Sequence, residues 1–380
     1  MKTARALLGG LTPNIFLRDY WQKKPLLIRA AVPGFNGLLD AGALMALACD
    51  DAAQARLVVR HPKKWRVTHG PFAAQDFARL PKKNWTLLLQ EANHFLPAAR
   101  DLLRLFDFIP HARLDDLMVS YAVPGGGVGA HFDSYDVFLL QGAGERRWQI
   151  SAQQDQNFVA GAPLKILRDF RPEQEWVLGA GDMLYLPPGY AHHGVAENAC
   201  MTYSIGFRAP GHAELAREFL VHLQDRIDEN LFPGLYQDPG LRLQPHPADL
   251  SDDMVQQVDT LLHKIKWDRA EVARFLGCYL TEPKPHVFFS PPARGMSFAR
   301  FQTALNKYGA TLDLKSRMLC TRKTIFLNGD AYRVGGGAFR LLRTLADQGT
   351  LPAGAAVDPE AAALLYEWRG YGYIEPKKRS

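Results

Sequence analysis

The chain has 380 residues, of which 47% are hydrophobic and 22% charged, which excludes a disordered or fibrous polypeptide and predicts a globular protein of two or three domains. No apolar run approaches the length of a membrane span, and the opening MKTARALLGGLTPN is too short an apolar stretch, broken by Pro13 and Asn14, to read as a signal peptide. The net charge of +6 is spread over short clusters (Lys23-Lys24, Lys63-Lys64, Lys82-Lys83, Arg146-Arg147 and Lys377 to Arg379), which read as solvated surface rather than as a nucleic-acid face. Four cysteines, Cys49, Cys200, Cys278 and Cys320, lie far apart with no C-x-x-C, which argues against a disulfide framework or a thiolate zinc site and predicts a cytoplasmic location.

In chain order, Ile15 to Arg29 opens as a helix that Pro25 ends, after which LLIR can begin a strand. Leu38 to Cys49 has helical spacing with Asp40 as its cap. ARLVVRH, KWRVTHG and NWTLLLQ read as strands, with His61 and His69 as lone surface histidines, and a helix follows from about Leu96 to Phe106. From Asp115 the texture becomes short β segments broken by Gly and Pro: DDLMVSYAV, YDVFLLQ, RRWQI, EWVLGAGDMLYLP and CMTYSIGFRA. That rhythm predicts a barrel or sandwich, with Ser151 to Glu175 as an excursion from it. After Pro210, His212 to Glu229 and Ser251 to Tyr279 are helix-like, with Met254, Val258, Leu261, Leu262 and Ile265 at three-to-four spacing. Beyond the loop TEPKPHVFFSPPARG the order is helix, hairpin with an Asn328-Gly329 turn, then two helices, which predicts a small winged-helix-like unit. No helix there carries a dense basic face, so the unit reads as a protein-contact module ahead of a DNA-binding one. The expected division is 1–210, 211–290 and 291–380.

The chemistry concentrates in PGGGVGAHFDSYDVFLLQGAGERRW. On extended chain, residues two apart share a face, so His131 and Asp133 project together as two of the three ligands that a 2-His-1-carboxylate site presents to non-haem Fe(II). The third candidate is His192 in GDMLYLPPGYAHHG, where a strand and a Pro-Pro-Gly turn return the chain; His193 would face the other way. A bidentate 2-oxo acid on such a metal needs a cation for its far carboxylate, and a guanidinium suits that role. Arg146 and Arg147 are the candidates; alternation turns one inward and one outward.

These segments, with YWQKKPLLIR and TYSIGFRAP, closely resemble the bacterial ribosomal oxygenases, a JmjC-type branch of the cupin superfamily and of the Fe(II)/2-oxoglutarate oxygenases. The resemblance runs from near residue 16 to 210. It implies an α+β architecture: a double-stranded β-helix (jelly-roll) core, a helical dimerisation region making a homodimer, and a C-terminal winged helix. It implies Fe(II) on His131, Asp133 and His192, the 2-oxoglutarate carboxylate on Arg146, O₂ as oxidant, and hydroxylation of an arginine β-carbon in large-subunit ribosomal protein sixteen. An arginyl substrate needs a carboxylate or carbonyl clamp and an apolar slot, for which Asp116, Tyr135 and Ser204 are candidates. Ala191 and His193 stand beside His192 where the family carries Pro and Glu. Two other readings are an N-methyl demethylase using the same iron chemistry and a non-catalytic cupin that binds DNA through its winged helix.

Overall fold

A computed structural model describes residues 2–62, 64–227, 232–355 and 357–377. Lys63, Asp228, Glu229, Lys378 and Arg379, each part of a segment singled out above, lie outside the described residues.

Twelve strands build the N-terminal part: β1 Leu26–Ile28, β2 Ala55–His61, β3 Lys64–His69, β4 Trp85–Leu89, β5 Leu114–Ala122, β6 His131–Phe132, β7 Asp136–Gln141, β8 Arg146–Ser151, β9 Gln174–Leu178, β10 Met183–Leu186, β11 Ala191–Ala196 and β12 Cys200–Phe207. They form two antiparallel sheets, one in the order β1-β10-β7-β12-β5-β4-β2-β3 and the other β6-β11-β8-β9. The two sheets pack as the jelly roll that the resemblance implied. Residues 152–173 leave the small sheet between β8 and β9, as expected of the excursion, and carry only the isolated bridge Phe158–Leu167.

Alternation decides what each strand contributes. In β7, Val137 and Leu139 join Trp148, Ile150, Leu178, Leu184 and Leu186 in a core between the sheets. Phe138 and Leu140 point to the opposite face, where they meet Tyr203, Ile205, Phe207, Phe16 and Phe106. Every residue of β7 and β12 is buried, so both strands are covered on both faces. The outer face is covered by helices Pro13–Asp19, Ala41–Leu47 and Pro97–Arg104; Asp40 caps the second by accepting the Ala43 N–H at 2.8 Å. Each large side chain so enclosed contributes about 1.5–3 kcal/mol.

The same parity applies inside the large sheet. Leu117 and Val119 of β5 face the helices, so Asp116, Met118 and Ser120 face the small sheet. Tyr203 and Ile205 of β12 likewise leave Thr202, Ser204 and Gly206 on the inner side, and Leu57 and Val59 of β2 leave Arg56 there.

Helix His212–Gln224 follows the sheets. The single helical stretch expected over Ser251 to Tyr279 is two helices, Asp252–Leu262 and Arg269–Thr281. The break has a local cause: Asp268 accepts the Glu271 N–H at 2.8 Å and starts a new helix, leaving Ile265 outside both. Further on, helices Phe298–Tyr308, Gly336–Gln348 and Pro359–Gly370 enclose a separate core around Phe301, Leu342, Leu345, Leu365 and Trp368. The hairpin Thr324–Leu327/Asp330–Arg333 turns at Asn328 (φ 50°) and Gly329 (φ 96°), the left-handed pair that a two-residue hairpin loop requires. Arg100 ties the two halves together, donating to Thr311 Oγ1 at 2.7 Å and to the Leu312 carbonyl at 2.9 Å.

Candidate active site

The glycine loop after β5 delivers β6 to the edge of the small sheet, where His131 pairs with His192 of β11, and His192 in turn with Ile150 of β8. Two segments far apart in sequence thus present adjacent imidazoles, with ring centroids 4.2 Å apart. Each ring is oriented in the same way: His131 Nδ1 is 3.0 Å from the Gly129 carbonyl oxygen, and His192 Nδ1 is 3.0 Å from that of Tyr190. Gly129 has φ +87°, a conformation in which L side chains are strained, and this turns its carbonyl toward the ring. With Nδ1 engaged as a donor, Nε2 of each ring is left as the basic nitrogen, the arrangement found in histidines that hold metals.

Asp133 completes the group. Its Oδ1 lies 3.8 Å from His131 Nε2 and its Oδ2 lies 3.4 Å from His192 Nε2. The three ligand atoms fall within 4.8 Å of one another, and no other such trio occurs among the described residues. Burial pushes the His131 imidazole down to about 4, which keeps it neutral and able to donate a lone pair. Burial works to raise Asp133, but the neighbouring His192, His131 and Arg56 together hold the carboxylate below its usual range, and Asp133 in turn raises His192 against the effect of burial. Two imidazole nitrogens and one carboxylate gathered in this way form a facial set of the kind that holds a divalent metal with exchangeable positions.

Arg146 comes from β8, the strand that pairs with the His192 strand. It is buried, and its Nη1 donates to Ser120 Oγ across the gap between the sheets at 3.2 Å. Its Nε and Nη2 have no hydrogen-bond partner among the described residues. Its guanidinium also lies 5.8 Å from the Trp148 ring centroid, and an enclosed guanidinium with unused donors carries a desolvation cost that a bound anion would offset. Arg147 faces out and is spoken for by Glu175 and by Glu197, the latter at 2.6 Å. Parity within RRWQI could have made this choice from sequence, because Arg146 shares its face with the buried Trp148 and Ile150.

Of the three remaining candidates, Asp116 and Ser204 face inward and Tyr135 is exposed. Asp116 is half-buried, with Oδ2 accepting the Glu91 N–H at 3.0 Å. Burial, and then the charge of Asp115, pushes its carboxyl up to about 6. A Cβ at Gly206 would sit 3.3 Å from Asp116 Oδ1 and 3.9 Å from the Tyr135 ring, so only a glycine lets these two groups come this near the β12 backbone without being pressed aside. Tyr135 feels both Asp133 and Asp116. Ser204 is buried on the same face of β12 as Gly206.

Sequence reasoning missed Ser120 and Arg56. Ser120 has the parity of Asp116 on β5, a signal present in LDDLMVSYA. Arg56 carries a buried Nε without a partner among the described residues, and its charge acts on Asp133 and Tyr135. The departure at His193 is accommodated outside the metal group: its ring packs edge-on to Phe170, with centroids 6.1 Å apart.

A profile of the JmjC domain matches residues 101–215, and one of the ROXA-like winged helix matches residues 264–375. The chain is 35% identical over 281 residues to the ribosomal protein uL16 3-hydroxylase of Escherichia coli, covering 73% of each. It is 38% identical over 268 residues to a probable ribosomal oxygenase of Haemophilus influenzae, 66% of this chain and 63% of that one. In three dimensions it is similar to E. coli YcfD, a ribosomal oxygenase in complex with cobalt and 2-oxoglutarate, with a TM-score of 0.81, 31% identity, and coverage of 96% and 98%. A second structure of E. coli YcfD matches with a TM-score of 0.84 at 30% identity, covering 96% of this chain and 98% of that one.

Proposed function

The chain belongs to the ribosomal oxygenases, 2-oxoglutarate-dependent enzymes on a JmjC fold, and we propose that it hydroxylates the β-carbon of one arginine in a large-subunit ribosomal protein, the counterpart of uL16. The observation that carries this reading is a buried guanidinium, Arg146, with unused donors on the strand that pairs with the His192 strand of the His131, Asp133 and His192 trio. That pairing suits a 2-oxo acid that reaches from metal to guanidinium. A cupin isomerase has no use for it.

In this proposal His131, Asp133 and His192 hold Fe(II), and Arg146 with Ser120 takes the far carboxylate of 2-oxoglutarate. Bound iron with 2-oxoglutarate and O₂ supplies the oxidation, in which the 2-oxo acid becomes succinate and CO₂ while one oxygen atom enters the substrate. The chain's remaining task is positioning. Asp116 receives the substrate guanidinium beside Gly206, and Tyr135 and Ser204 flank it. Orienting a reacting C–H bond in this way is worth several kcal/mol of the barrier. A net charge of +6 offers no long-range attraction for a basic partner, so recognition falls to this local acidic group.

Intact-mass analysis of ribosomal proteins from cells with and without the gene tests the reading. A difference of one oxygen atom confined to one large-subunit protein is expected. A lost methylene would indicate the demethylase reading, and no mass change together with salt-sensitive duplex binding the DNA-binding one.

Asp116 gives a sharper check. Asp116→Asn keeps the shape and removes the charge, and is expected to raise the substrate KM by on the order of 10–100-fold, the worth of a charge-assisted hydrogen bond. Its carboxyl is held up at about 6 by burial and Asp115, against the opposing pull of the Glu91 N–H and Lys284, with Tyr135 and Arg317 also facing it. A guanidinium binds the ionised form, which is populated above that value. Substrate affinity should therefore rise as pH climbs through about 6 and level off above it, and the Asn variant should lack this step.

The proposal includes the division at residues 210 and 290, a cytoplasmic setting and a homodimer. No helix among the described residues is long and apolar enough to cross a membrane. Exposed Leu220, Val221, Val255, Leu262 and Trp267 give the intermediate helices an apolar surface of the kind subunit contacts use. Light scattering should give twice the chain mass, falling to one chain for Val255→Glu/Leu262→Glu.

A further inference from the structure

Asp116 does not stand on its own strand alone. The N–H that holds its Oδ2 belongs to Glu91, a residue in the left-handed region (φ 51°) at the end of β4. A non-glycine residue there costs about 1–2 kcal/mol, so something must hold it. What holds it comes from the C-terminal half. Glu91 Oε1 is 2.9 Å from Lys284 Nζ, and Glu91 Oε2 is 2.6 Å from His286 Nε2. Lys284 also lies 3.4 Å from Asp115 Oδ1. Arg317 reaches back to the start of β5, donating from Nη2 to the carbonyls of Leu114 and of Asp115, the latter at 3.1 Å. Its Nη1 is 3.9 Å from Asp115 Oδ1.

Glu91, Asp115 and Asp116 thus form a cluster of three carboxylates that would repel one another, and the cations that offset them arrive from residues 284–317. A cavity of about 180 Å³ lies between the two halves at this point, lined by Glu91, Asp115, Lys284 and Arg317 among others. The β5 backbone is fixed by its pairing with β12 and by Leu117 in the core, so the ion pairs act on the Asp116 side chain through Glu91, whose N–H holds Oδ2. The Asp116 Oδ1 is left without that bond, directed toward Gly206, where a Cβ would meet it at 3.3 Å.

We propose that Lys284 and Arg317, with His286, are positioning residues that hold Glu91 and Asp116 in the geometry that receives the substrate guanidinium, so that substrate affinity depends on the C-terminal half. This rests on the arginyl reading above. None of the three touches the metal group.

The test uses the full chain with recombinant large-subunit protein sixteen as substrate and measures two KM values together with substrate-free turnover of 2-oxoglutarate. Lys284→Met is expected to raise the protein-substrate KM about tenfold, the loss of one charge-assisted bond, with the 2-oxoglutarate KM and substrate-free turnover unchanged. Lys284→Arg should restore it, and Glu91→Gln, which keeps the backbone N–H but drops the ion pairs, should reproduce the Met effect. A Met variant with unaltered substrate KM, when Asp116→Asn does raise it, overturns the proposal and leaves the arginyl reading standing. An equal rise in both KM values also overturns it, because that marks a general loosening. If Asp116→Asn itself leaves the substrate KM unmoved, the arginyl reading falls, and this inference with it.

Discussion

His131→Ala is expected to bring turnover down to background and to strip the protein of stoichiometric iron. The three ligand atoms lie within 4.8 Å of one another, so each ligand supplies a substantial share of the binding energy. Loss of a partner one shell further out already weakens metal sites by about 10–100-fold, and loss of a direct ligand should exceed that. His131 Nδ1 is engaged only by the Gly129 carbonyl of its own loop, so the metal-free fold should keep its melting temperature within a few degrees. Equilibrium dialysis against Fe(II), or against redox-inert Co(II), reads metal affinity apart from activity. His193→Ala is the control: it faces Phe170 rather than the trio and should bind metal as the wild type does. A His131→Ala variant that retains metal and turnover would remove the trio from the mechanism.

Arg146→Met should produce two effects of opposite sign. Truncating one side of a buried charge pair costs about 2–5 kcal/mol, so 2-oxoglutarate affinity should fall by on the order of 30-fold to several thousandfold, with metal binding unchanged. In the absence of 2-oxoglutarate the same variant should be more stable than the wild type. Nε and Nη2 of Arg146 are buried without partners among the described residues, and an apolar side chain of similar length removes that desolvation cost. Thermal melts with and without 2-oxoglutarate separate the two effects: the wild type should be stabilised by the co-substrate and the variant should not. Retained co-substrate affinity in Arg146→Met would transfer the anchor to another cation, with Arg56 next in place on the inner face.

Local sequence carried the elements that repeat in short range. A His-x-Asp pair on extended chain must share a face, and a Pro-Pro-Gly turn returns a strand carrying His192. The Asn328-Gly329 hairpin follows from turn chemistry in the same way, because two left-handed residues are what such a turn demands. Arg146 was also within reach, since it repeats the parity of Trp148 and Ile150. The helix boundary at Asp268 was missed because apolar spacing ran on through Ile265 while a side-chain cap, which periodicity does not register, restarted the helix.

What tertiary structure alone decided is which of these faces meet. Ser120 and Arg146 bond across two sheets, and Glu91, Asp116, Lys284 and Arg317 converge from four separate segments. Side-chain parity within a strand is set by the backbone repeat of two and is legible residue by residue. The closing of one sheet over another, and the docking of the C-terminal half onto β5, depend on the summed packing of many distant side chains, and no spacing along the chain records that sum.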